Sequence, residues 1–236
     1  RMDNELGSIT PGKCADIASL DGLDTPNVTR MMIDGDVVAE DGKPLFDYPR
    51  FAFPEWVTHS MHLGKAITPD SFAVEAPAGV PDGQAVEVRA IEIIPGKVGT
   101  FETHVQLPVV HGQLESDLSQ DVLKTFVFER HHETGTFGVG FAKGFGIKRG
   151  AMASTVAHDA HNLLVVGTND ADMALAANTL VECGGGMVVV ADGEVLGLVE
   201  LPIAGLMNDL GAAEMSEKVH ALEDTWAEIG CTMPSP

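Results

Sequence analysis

The chain has 236 residues, enough for one large domain or two smaller ones with a sizeable core, and its 44% apolar content fits a globular protein and argues against disorder as the default. Its 35 acidic residues against 14 basic give a net charge of −21, which argues against nucleic acid or an anionic membrane as partner. That balance reads as solubility, with a salt-adapted source, suggested by the scarcity of lysine, as the sharper alternative. Cys14, Cys183 and Cys231 are odd in number and free of any CxxC, so neither a disulfide framework nor a cysteine zinc site is expected, and a reducing cytoplasm is the simplest compartment. No apolar run reaches the length of a membrane span and no signal peptide opens the text. The start at Arg1 suggests a piece of something longer.

In chain order, a Pro11-Gly12 turn delivers a short strand, Ala15 to Leu20. Val28 to Ile33 and Val37 to Ala39 then flank Asp34-Gly35, a hairpin signal because a tight turn needs positive φ. Residues 46–84 are rich in proline and aromatics and read as an irregular connector after a boundary near residue 45, with residues 85–236 as the main domain. His59 and His62, at i and i+3 within it, read first as structural, with metal or substrate contact as the alternative. Gln84 to Ile94 alternates as a half-buried strand, Pro95-Gly96 turns it, and Gly99 to Pro108 returns. Leu123 to Arg130 is a further strand, and the polar turn from His131 to Gly135 leads into another at Thr136 to Ala142.

The densest chemistry lies between Lys143 and Thr168. Four glycines, the basic pair Lys148-Arg149 and the cluster His158, Asp159, His161 and Asn162 precede an apolar strand, Leu163 to Val166. Glycines there let the backbone approach another surface closely. Two imidazoles, a carboxylate and an amide then face one small volume, either as a structural polar turn or as part of a site. Two imidazoles and a carboxylate also suit Mn, Fe or Zn, which makes His158 and His161 the metal candidates within this chain. Lys148 and Arg149 read as anchors for an acidic neighbouring surface or a polar ligand. Beyond them, Asn169 or Asp170 caps a helix from Ala171 to about Cys183, stopped by Gly184; the triple glycine Gly184 to Gly186 lacks the ending of a phosphate loop. Met187 to Ala191 and Val195 to Val199 form a hairpin about Asp192-Gly193. A last helix starts at Asp209 or Ser216 and carries Met215, Val219, Leu222, Trp226 and Ile229 as one apolar stripe. The sum is an α+β fold with a predominantly antiparallel sheet covered by helices.

The run Lys143-Gly-Phe-Gly-Ile-Lys-Arg-Gly150, then Ala153-Ser-Thr-Val-Ala-His-Asp-Ala-His-Asn162, Val165-Val-Gly-Thr-Asn-Asp170, the triple glycine and Leu201-Pro-Ile-Ala-Gly-Leu-Met207 resembles the C-terminal domain of bacterial and archaeal adenine deaminases of the amidohydrolase superfamily. The opening pattern, with its Pro-Gly turn, Ala15-Asp-Ile17 and the Ile33-Asp-Gly hairpin, resembles the end of an amidohydrolase catalytic chain. This resemblance implies that residues 1–45 are a β remnant of the superfamily's small composite domain, though that part alone fits other amidohydrolase activities. It also implies a parent that converts adenine and water to hypoxanthine and ammonia, using a divalent metal, Mn or Fe before Zn, held in a barrel. The nine histidines contain no HxH pair, so the principal metal site is expected upstream of Arg1. This chain is then expected to be inactive alone, with an upstream barrel as neighbour, a homo-oligomer as assembly, and His158, Asp159, His161 and Asn162 in a supporting role. The alternative is a non-catalytic module that stabilises or oligomerises the barrel, or binds a purine without transforming it.

Overall fold

The computed structural model describes residues 2–47, 49, 51–97, 99–158 and 160–233. It divides into two compact units, Arg1–Ala52 and Phe53–Pro236. The first is a four-stranded antiparallel meander of β1 (Ile17–Leu20), β2 (Val28–Ile33), β3 (Asp36–Glu40) and β4 (Lys43–Pro44). Asp34 and Gly35 take positive φ at the predicted hairpin, and the Asp16 carboxylate accepts the Asp34 N–H at 2.8 Å. None of its described residues is fully buried, because a single small sheet encloses no interior.

The second unit is an α+β sheet domain, as its strand pattern predicts. It opens with α1 (Glu55–Thr58) and a 3-10 turn at Pro69–Phe72. Then come β5 (Ala85–Ile93), β6 (Thr100–Val110), β7 (Gln113–Leu114), β8 (Val122–Phe128), β9 (Phe137–Lys143), β10 (Ala151–Ser154), β11 (Leu163–Gly167), α2 (Asp170–Cys183), β12 (Gly186–Ala191), β13 (Glu194–Glu200) and α3 (Ala212–Glu228). The nine strands run in the order β13-β12-β10-β11-β8-β9-β5-β6-β7. Every pairing is antiparallel except β5 with β9, where Ala90 faces Phe141.

Alternation along these strands sends one set of side chains to each face. On one face Phe126, Phe128, Ala153, Val165, Val188 and Val190 pack against Met173, Ala176, Ala177 and Leu180 of α2, whose alanines let the helix lie close. Ile67 and Phe72 join this core, so the proline- and aromatic-rich stretch from Phe53 onward belongs to the second unit. Phe72 meets Phe126 and Phe128 edge to face, with ring centroids 5.0 and 5.5 Å apart. On the other face Leu123, Val166, Val189 and Val199 pack against Leu222 and Trp226 of the predicted stripe on α3, and against Ile229 just beyond it. That helix starts at Ala212, between the two expected caps. Asn208 does not cap it, since its amide donates to Glu200 O and its oxygen accepts the Leu210 N–H.

Asn169 caps α2 through its side-chain oxygen, which accepts the Asp172 N–H at 2.9 Å, and Gly184 ends the helix at φ 84°. The carboxylate of buried Asp172 in turn accepts the N–H groups of Asp192 and Gly193, tying the β12–β13 turn to the start of α2. No described helix is long and apolar enough to cross a membrane.

Candidate functional site

Three loop segments converge on Arg130, the second residue past the end of β8. The residue is 1% exposed. Nε donates to the His161 carbonyl at 2.6 Å, Nη1 to the Ser60 carbonyl at 2.9 Å and hydroxyl at 3.3 Å, and Nη2 to the Ala204 carbonyl at 3.0 Å. Its backbone carbonyl accepts the His62 N–H at 2.8 Å, and its own N–H reaches the Asn162 side-chain oxygen at 3.4 Å. The Ala204 N–H closes the ring of contacts by donating to Val57 O at 2.7 Å. Among the described residues no carboxylate lies within ion-pair distance of this cation. Burial pulls its pKa down from the ordinary value, and backbone carbonyls supply the opposing dipoles.

Six of the nine histidines lie on or next to the segments that contact Arg130. His158 and His161 have ring centroids 5.8 Å apart at 66°, so the predicted pair does come together. His161 sits at φ 49°, and its Nδ1 is buried without a described partner. His131 and His132 lie in the turn after β8, with centroids 6.2 Å apart, and a ring nitrogen of His131 lies 3.0 Å from Ala160 O. His62 faces Glu133 at 3.8 Å, while the His59 ring folds back to Glu55 O at 3.0 Å. Asp159, the carboxylate expected between His158 and His161, lies outside the described residues. The Asn162 oxygen is directed to the Arg130 backbone. Among the described residues no three histidine, cysteine or carboxylate groups converge as metal ligands.

Glu129 shapes the turn that carries His131 and His132. Its carboxylate accepts the N–H of His131 at 2.5 Å and of His132 at 2.9 Å, and both the N–H and hydroxyl of Thr134. Partial burial is the largest single influence and pushes the acid up, but the hydrogen bonds together outweigh it and hold Glu129 down to about 2. The folded chain therefore binds this proton less tightly than an unfolded one, whose carboxyl titrates near 4.5. The contribution of Glu129 to stability is complete above that pH and disappears as pH falls towards 2. Urea unfolding across this range should show the native chain losing stability more steeply than Glu129→Gln; superimposable slopes would remove this role. Beside the turn lies a cavity of about 260 Å³, lined by Lys65, Asp70, Ser71, Phe128, Glu129 and Phe137.

Of the basic pair, Arg149 spends its side chain within the chain. Arg149 bridges Asp192 and Glu228 of its own chain, each at 2.6 Å, and the Lys148 N–H donates to Ile229 O at 2.8 Å. Its acidic partners are thus internal. Arg130 and Glu129 escape sequence reasoning because they read as the polar end of an apolar strand. The available signal was an arginine directly after Phe126-Val-Phe128 in a chain with few basic residues.

Residues 97–236 match the family described as adenine deaminase C-terminal domain. Over all 236 residues the chain is 58% identical to an adenine deaminase of Clostridium botulinum (strain ATCC 19397 / Type A), of which it covers 39%. It is 50% identical over 232 residues to an adenine deaminase of Moorella thermoacetica, covering 98% of this chain and 38% of that one. A third adenine deaminase, from Desulforamulus reducens, is 36% identical over 236 residues, again all of this chain and 39% of the relative. The chain therefore spans about two fifths of the length of the curated relatives it matches. With its motifs placed on one sheet domain and the match running through that domain to its last residue, the chain belongs to the adenine deaminase C-terminal domain family.

Proposed function

We propose that this chain is the C-terminal portion of a metal-dependent adenine deaminase, contributing a wall of ordered loops to a site whose metal is held elsewhere in the longer protein. The observation that carries this reading is the 58% identity along the entire chain to a protein named adenine deaminase. Adenine deamination needs a hydroxide at neutral pH and a proton for the departing amine; a divalent metal, Mn or Fe before Zn, supplies the first when bound. His158 and His161 remain the groups able to orient the substrate or a proton donor, on a loop fixed by Arg130.

The same reading makes adenine the substrate of the longer protein, the preceding catalytic portion a neighbour, the assembly a homo-oligomer and the compartment the cytoplasm. Three free cysteines accord with the last of these. A structural or purine-binding role without catalysis is the competing reading, favoured by the use of the His161 carbonyl and the Asn162 oxygen as internal ties.

In the full-length protein, His158→Ala and His161→Ala are expected to lower kcat by about 10²-fold, the scale of a misplaced reacting group, with little change in melting temperature. Unchanged turnover with a lowered melting temperature would decide for the structural role. The isolated chain, supplied with adenine and Mn or Fe, should form no hypoxanthine; product would show a metal centre within it.

A further inference from the structure

The two carbonyls that Arg130 holds through Nε and Nη2 belong to His161 and Ala204, and both are non-glycine residues in the left-handed region, at φ 49° and 58°. Such a backbone is unfavourable for a residue with a Cβ, and alanine has no polar side chain with which to stabilise it locally. It persists where the surroundings determine it from several sides. Here one planar fork, buried and fixed in angle, faces both oxygens while Nη1 holds Ser60. The guanidinium lies against the backbone of Gly205, where an added Cβ would meet Nη2 at 2.8 Å and Cζ at 2.9 Å. The other ties of this stack are also in place, since Thr155 donates its hydroxyl to Gly205 O at 2.6 Å.

We infer that Arg130 is a positioning residue, a lock that keeps His161 and Ala204 in strained backbone conformations and so sets where the imidazoles of His131 and His161 point. His161 is held through its own carbonyl. His131 is held because its ring contacts Ala160 O, one residue before the locked one. The role needs the fork and not merely the charge. An ammonium is a compact point donor and cannot span three carbonyls that face the edges of one plane.

The geometric part of the inference stands on its own; the catalytic part rests on the reading under Proposed function. Two measurements keep them apart. In the 236-residue chain, nuclear magnetic resonance of Arg130→Lys should show the backbone carbon shifts of His161 and Ala204 leaving left-handed values. Hydrogen exchange at their amides, which donate to Ala157 O and Val57 O, should rise at least tenfold while strands β10 to β12 keep theirs. Unchanged shifts at both residues, or faster exchange spread evenly over the sheet, would overturn the lock. Should Arg130→Lys fail to fold, exchange in the unaltered chain decides instead: the lock requires the His161 and Ala204 amides to open together, and unrelated rates refute it. In the full-length protein, Arg130→Lys should lower kcat for adenine about tenfold or more and leave KM within about threefold, as a displaced group costs turnover rather than affinity. A moved loop signature with unchanged kcat would keep the lock and overturn the assignment of these loops to the deaminase site.

Discussion

Replacing Lys124 by methionine is expected to lower stability by about 3 kcal/mol, at the lower end of what breaking a buried ion pair costs. Lys124 lies on β8 with no exposure at all. Its ammonium pairs with Asp170 at the start of α2, pairs with Glu115 at 2.8 Å, and donates to Phe72 O at 3.2 Å. One cation thereby joins the sheet, α2 and the turn that supplies Phe72 to the core. Methionine fills similar volume, so the loss is electrostatic and not a cavity. Two carboxylates remain, but with side-chain exposures of 23% and 36% they regain part of their hydration, which limits the cost.

The deficit also depends on pH. Burial pushes the Asp170 carboxyl up from its ordinary value, and Lys124 works against that. Without the cation the acid rises further, so the folded variant binds this proton more tightly than its unfolded state. Its deficit should be small where Asp170 is protonated in both states and grow as pH rises. Urea unfolding of both proteins from pH 4 to pH 8 measures this, and a loss under about 1 kcal/mol at neutral pH would mean that methionine packing replaces the network.

The second large effect is expected at Gly185, where alanine should cost about 3 kcal/mol, through backbone strain plus overlap with a second backbone. Gly185 sits at φ 116°, and a Cβ there would fall 2.5 Å from the Gly205 Cα and 2.9 Å from the Thr155 hydroxyl. Neither neighbour is the free end of a flexible side chain. Gly205 is pinned from its other side by Arg130, so it cannot retreat. Thermal unfolding of Gly185→Ala should show the loss, and an unchanged midpoint would mean that the loop at 201–207 moves freely.

The triple glycine was legible as a helix stop, since Gly184 ends α2, but the sequence holds no record that Gly185 lies against a loop twenty residues later. The same limit governs the rest. Strands with strong alternation, β5 and β6, and the cap-and-stop signals of α2 emerge within a residue or two, because their causes are local. Strand β10 was hidden in the glycine-rich stretch: Ala151-Met-Ala-Ser154 has weak strand preference and is extended because β11 and β12 bond to it on both sides. The parallel pairing of β5 with β9 was equally invisible, since alternation says which face a residue occupies and nothing of its partner. At the site, His158, His161 and Asn162 stood out as a crowded polar run. The residue that organises them did not, because its partners are carbonyls, which every sequence position supplies alike.

The spacing of those carbonyls along the chain has a kinetic meaning. Arg130 reaches 31 residues forward to His161, 74 forward to Ala204 and 70 back to Ser60. No local segment can satisfy it, and contacts of such separation form late because loop closure precedes any gain from them. A nascent chain must extend past residue 204 before this guanidinium finds its last acceptor. Until then, water must serve the donors that the Ala204 carbonyl later takes. By the same measure the loops around Arg130 are expected to set only once the chain through Ala204 has been made.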